Sequence, residues 1–244
     1  MKTEILWSLF AAAAALEFVF VPWFLKAMWP EKTRKSLLLK MVCATLYVCM
    51  GVCAALISGN KSLFAQFMLA GLMFGWVGDF FLHAGKKLVF FILGLVSFLT
   101  GHLCYLCAYI SASRHLFPEK KAVSPVSFAM VALLFAAGAL FARRKKMHFG
   151  RRLVPVILYA LTLMAMLVLA WALGLRILLA GQAGALLNSL VLAAGALLFF
   201  ISDSLWAAVN FTRDRKNRAL KNANIITYFA GQMLLSSTIL LIKP

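Results

Sequence analysis

Two aspartates stand alone inside long apolar runs: Asp79 in Gly75-Trp76-Val77-Gly78-Asp79-Phe80-Phe81-Leu82, and Asp203 in Phe199-Phe200-Ile201-Ser202-Asp203-Ser204-Leu205-Trp206. An acid placed where hydrocarbon belongs costs roughly 2.5 to 3.5 kcal/mol on insertion scales, so such a residue faces a polar interior and is kept for chemistry or transport. Low-dielectric surroundings favour a protonated carboxyl, and a nearby cation favours an ionised one. Two carboxyls in different surroundings therefore give one site an acid and a base, enough for hydrolysis without a metal. The structural alternative makes each acid a buried partner of Lys40 or a tyrosine, tying helices together.

The elements that must carry these residues follow from composition. Of 244 residues, 64% are hydrophobic and 13% charged, against about 25% charged in soluble domains. The apolar runs are of the length, about 20 residues, that a helix needs to cross hydrocarbon roughly 30 Å thick. Alternating strands of barrel type are absent. The pattern predicts an all-α polytopic membrane protein, a single integral membrane domain over 1–244 with spans at about 4–26, 38–58, 63–84, 88–111, 123–142, 153–173, 184–210 and 224–242. Gly174 to Gly184 reads equally as a loop, an interfacial turn or an overlap of two helices. Lys2 with the alanine-rich run after it imitates a secretory signal, but the apolar run continues to about Leu25 and reads as a first span.

The net charge of +18 is not a nucleic-acid signature, because the basic residues sit in short loops between spans. Of the 25 Lys and Arg, 18 fall at the ends of spans 1, 3, 5 and 7 and 7 on the opposite side. The positive-inside rule then sets the basic face in the cytoplasm and both termini outside it. In upright helices both aspartates lie roughly 10 Å beneath that face, with Lys40, Tyr159, Tyr228 and Gln232 entering from the same side. His102 falls some 10 Å deeper, out of reach of the acids unless helices tilt. Both acids lie on the third helix of a four-helix half, 124 residues apart, which suggests two parallel halves with the site between them. Glu17 is a third acid within a span, and its neighbours assign it no role.

Other signals are plainer. Cys43, Cys49, Cys53, Cys104 and Cys107 all lie within spans and imply no disulfide framework, and the Cys104/Cys107 pair with His102 imitates a metal site but reads as small buried hydrophobes. Gly71 and Gly75 form a GxxxG pair that Gly78 extends, a close-packing face. The chain has no G-x-S-x-G elbow, no H-E-x-x-H pair and no P-loop.

Five segments in order, Val77-Gly78-Asp79, Gly101-His102-Leu103-Cys104-Tyr105, Tyr159 to Leu167, Gly195 to Asp203, and Tyr228-Phe229-Ala230-Gly231-Gln232, resemble the YhhN/TMEM86 family of lysoplasmalogenases. The resemblance runs from about residue 36 to 242. It implies an eight-helix membrane fold and hydrolysis of the vinyl ether bond of a lysoplasmalogen to a fatty aldehyde and a glycerophospho-base. By the same resemblance Asp79 and Asp203 are catalytic, and His102, Tyr105, Tyr159, Ser202, Tyr228 and Gln232 accompany them at the substrate site. Lys40 is similar to a lysine early in the family's second helix, suited to a lipid phosphate. The expected partners are a lysophospholipid and bilayer lipids, without nucleic acid, cofactor or metal, in a bacterial inner membrane or an ER-type membrane. A proton-coupled transporter or channel using the same acids is the competing expectation.

Overall fold

A computed structural model describes residues 2–85, 87–212 and 217–243. Of the basic residues that set the orientation, Lys86, Arg213, Arg215 and Lys216 lie outside the described residues. A lone segment in hydrocarbon must close its backbone hydrogen bonds within itself, and helices do so. Among the described residues the chain forms eight α-helices and no strand: α1 (Lys2–Ala27), α2 (Arg34–Ser58), α3 (Leu63–Ala84), α4 (Leu88–Leu116), α5 (Pro125–Arg144), α6 (Leu153–Leu179), α7 (Ala185–Phe211) and α8 (Arg218–Leu241). All eight are long and apolar enough to cross a membrane. Phe18, Leu133 and Leu179 stand 75%, 71% and 74% exposed, as side chains do when lipid is their solvent.

Caps, and not hydropathy, set the boundaries. Thr33 accepts from the Ser36 backbone at 3.1 Å while Ser36 Oγ accepts from the Thr33 backbone at 2.8 Å, a capping box that starts α2 four residues before the apolar run. Asn217 accepts from the Leu220 backbone at 3.1 Å, so the basic turn from Arg218 is already helical and α8 begins before residue 224. At the far end α4 and α6 each run past their apolar limits of about 111 and 173. Arg176 joins them there, donating to Ser113 Oγ at 2.5 Å and to the Lys121 carbonyl at 2.8 Å. The segment from Gly174 to Gly184 therefore divides into the last turns of α6 and a turn whose Gly181 and Gly184 take φ of 66° and 79°.

Most helix contacts repeat between the two four-helix halves, although α1 and α3 also touch α8 while, among the described residues, α5 and α7 do not touch α4. α3 packs on α4 as α7 packs on α8, and the halves join by α2 on α8 and α6 on α4, which are equivalent pairs under that repeat. The local chemistry repeats as well. Gly71 and Gly195 each precede their aspartate by eight residues. A Cβ on Gly101 would stand 3.1 Å from the Gly71 carbonyl oxygen, and one on Gly231 would stand 3.2 Å from that of Gly195. Each half thus brings its third and fourth helices together backbone to backbone, deep beneath its acid. α5 is peripheral: among the described residues it packs on α6 alone.

The glycine face of α3 has a second use, because it makes room for large side chains from neighbouring helices. A Cβ on Gly71 would lie 2.4 Å from the Tyr105 ring, and one on Gly78 would lie 2.7 Å from the Phe98 ring. Gly71→Ala must push the fully buried Tyr105 aside and is expected to cost about 1–3 kcal/mol, the usual range for overpacking. Thermal unfolding in detergent checks this. The control is Gly138→Ala, whose new methyl would meet only the mobile end of Met164 and should leave the transition in place.

Candidate active site

Asp79 reaches its position on the inward face of α3, one turn beyond Gly75, where a side chain would collide with Gln232 Nε2 at 2.9 Å and Tyr47 Oη at 3.2 Å. Its carboxyl is nearly saturated. Lys40 Nζ lies 2.8 Å from Oδ1. Tyr228 donates to Oδ2 at 2.7 Å and Tyr47 donates to the same oxygen at 3.3 Å. An ionised carboxylate offers about four acceptor positions, so roughly one on Oδ1 stays open. Side-chain exposure is 14% for Lys40 and 2% for Asp79, which makes this an internal ion pair.

A second layer fixes the tyrosines. Gln232 Nε2 donates to the Tyr228 hydroxyl at 3.2 Å, and Tyr105 donates to Gln232 Oε1 at 2.9 Å. Ser236 donates to the Tyr47 carbonyl at 2.8 Å. The network therefore crosses α2, α3, α4 and α8, and it locks the rotamers around Asp79 before any substrate arrives.

Asp203 is built on the same plan with different chemistry. Tyr159 is the seventh residue of α6, as Lys40 is the seventh of α2. Lys40 brings Asp79 a cation, whereas Tyr159 brings Asp203 a neutral hydroxyl that donates to Oδ2. His102 Nε2 stands 3.7 Å from the same oxygen, beyond a good hydrogen bond, and its ring is held edge-on by Tyr159 and Phe199 at 5.0 Å each. Among the described residues neither His102 nitrogen has a hydrogen-bond partner and Oδ1 of Asp203 accepts nothing. The Asp203 side chain keeps 14% exposure, on the cavity side.

Both aspartates line one cavity of about 710 Å³, with Lys40, Tyr159, Ser202 and Tyr228. Ser202 is positioned by Asn224, whose Nδ2 reaches its carbonyl at 2.8 Å and its hydroxyl at 2.9 Å. Tyr105, Gln232 and His102 stand behind this lining. His102 does lie beneath the acids, beside Gly101 at the level of Gly71, yet its ring comes within 3.7 Å of Asp203, an approach that the depth reading made doubtful. Lys40 does not spend its charge on snorkelling to the headgroups. Sequence reasoning missed Tyr47 and Asn224. Tyr47 had a signal, since it follows Lys40 by two turns on the same helix face.

Glu17 does not line the cavity and is fully buried in α1, with the Cys43 thiol as the hydrogen-bond partner of its carboxyl. All five cysteines are free.

In comparison with known proteins, residues 36–239 match the model of the YhhN family. No curated protein and no solved structure matches the chain.

Proposed function

The chain belongs to the YhhN family, and from that premise we propose that it is a membrane-embedded hydrolase cleaving the vinyl ether bond of lysoplasmalogens to a fatty aldehyde and a glycerophospho-base. The observation that carries this reading is the unequal setting of two carboxyls on one cavity. Asp79 is paired with a lysine and two tyrosines, while Asp203 has one hydroxyl, a nearby imidazole and an oxygen open to the cavity.

Vinyl ethers hydrolyse by protonation at carbon, and that step needs an acid. Asp203 gives its proton to the alkenyl carbon beta to the ether oxygen, and the double-bond electrons form the new C–H bond. The resulting oxocarbenium ion lies against the Asp79 carboxylate, whose charge Lys40 and the tyrosines hold in place. Water adds to the cationic carbon and returns a proton to Asp203. The hemiacetal then forms the aldehyde carbonyl as its bond to the glycerol oxygen breaks and its hydroxyl proton passes to that oxygen, so one water is consumed and aldehyde and alcohol leave. Glycosidases handle a similar cation with two carboxyls, a comparison that rests on analogy. The ether linkage of a lysolipid lies near the headgroup boundary, which suits an acid pair a short way beneath a basic face. We assign that face to the cytoplasm, with both termini opposite.

The test is purified protein offered an alkenyl lysophospholipid beside its alkyl ether and ester analogues. Aldehyde is expected from the alkenyl lipid alone, because only that bond gives an oxocarbenium ion on protonation. Ester cleavage, or no aldehyde from a sample with a cooperative thermal transition, sinks the proposal.

A further inference from the structure

Two cavities meet at Asp203. Beside the polar one, a second of about 630 Å³ lies between α5, α6 and α7, and Leu95, Tyr159, Asp203 and Trp206 belong to both linings. Their characters differ. Between its basic end, where Arg143 and Lys146 stand, and the junction, the second is walled by apolar side chains such as Phe135, Val156, Leu163 and Phe200, whereas the first carries Lys40, Lys221 and Asn224. The backbone N–H of His148 donates to the Phe211 carbonyl at 2.9 Å, so the loop after α5 roofs the apolar cavity at its basic end. Among the described residues α5 packs on α6 and not on α7 or α4, which leaves the cavity open toward hydrocarbon between α5 and α7.

We infer that the apolar cavity holds the hydrocarbon chain of a single-chain glycerophospholipid, admitted sideways from the bilayer between α5 and α7, while the phosphate stays in the polar cavity near Lys40 and Lys221. The size suits one chain, since 630 Å³ lies within the range of about 300–1,000 Å³ in which pockets hold a single small ligand. Charge is distributed to match: Arg143 and Lys146 line the apolar cavity at the end roofed by the loop after α5, and Lys40 and Lys221 line the polar one. The inference rests on the hydrolase reading for the bond that lies at Asp203: in a lysoplasmalogen the vinyl ether joins chain to glycerol, and Asp203 stands where the two cavities join.

An alkyl ether lysophospholipid with a diazirine at the chain end tests this directly, because it lacks the vinyl bond and is not consumed. After irradiation the label is expected on peptides of α5 and α6. Ala160→Trp and Ala139→Trp fill the cavity from its two walls; either should lower that labelling at least tenfold while keeping the thermal transition of the parent. Excess diacyl phosphatidylcholine should compete poorly. Labelling centred on α1, α2 or α8, or labelling unchanged in two folded filling variants, overturns the chain site. Labelling on α5 and α6 without aldehyde from the alkenyl lipid supports the chain site and removes the hydrolase reading. Aldehyde release with the label elsewhere does the reverse.

Discussion

Asp203→Asn is expected to lower kcat for vinyl ether hydrolysis by about a thousandfold, within the range for loss of a general acid, and to leave KM within about twofold. Asparagine keeps the size of the side chain and an oxygen for the Tyr159 hydroxyl, so the local hydrogen bond survives. It has no proton to give to carbon. Protonation at carbon is the step that water performs poorly at neutral pH, so the loss falls on the transition state and not on binding, the pattern of kcat and kcat/KM falling together. Asp203→Glu restores an acid but shifts it by one methylene, and should recover part of the rate. Aldehyde release across a substrate series, beside thermal transitions of each variant, makes the measurement. More than about a tenth of the parent rate in a folded Asp203→Asn protein removes the acid from Asp203. His102, 3.7 Å away, would then be the nearest group to examine for that role.

The spans were legible because a bilayer imposes one length on any helix that crosses it, and the two acids were legible because nothing else in those helices is charged. Helix ends were less so. The capping box at Thr33 and Ser36 and the cap at Asn217 extend α2 and α8 into polar sequence that hydropathy excludes. The partners of each acid were partly legible. Lys40 and Tyr159 share an end of their helices with the acid on the next helix, but Tyr228 of α8 turns to Asp79 on α3 and not to Asp203 on its neighbour α7, a contact between residues 149 apart in the chain. His102 was legible only in part, because depth counted in residues takes no account of the reach of a side chain. The repeat, faint in sequence, is clearest in Gly71, Gly101, Gly195 and Gly231, whose absent side chains let two helix pairs close in the same way. It also shows what distinguishes the halves. The same helical position carries Lys40 in one and Tyr159 in the other, so one plan yields a carboxylate fixed by a cation and a carboxyl left without one.

Lys40→Met tests that distinction, and here stability should move before activity does. The substitution keeps the length of the side chain and removes the cation from a carboxylate with 2% exposure, leaving two tyrosine hydroxyls to satisfy it. Breaking one partner out of a buried pair costs about 3–5 kcal/mol, whereas replacing both by uncharged groups of similar size is close to neutral. Lys40→Met alone should therefore lower the thermal transition in detergent by roughly 10 °C, and Lys40→Met with Asp79→Asn should recover most of that loss. Activity should not recover. The double variant has no anion to face the oxocarbenium ion, and it lacks the ammonium that, with one of three donors spent on Asp79, has others for a lipid phosphate. A double variant no more stable than the single one would mean that Asp79 draws its stability from the tyrosines and not from Lys40. One that is both stable and active would reduce the pair to a tie between α2 and α3, and would leave Asp203 to work without an anionic partner.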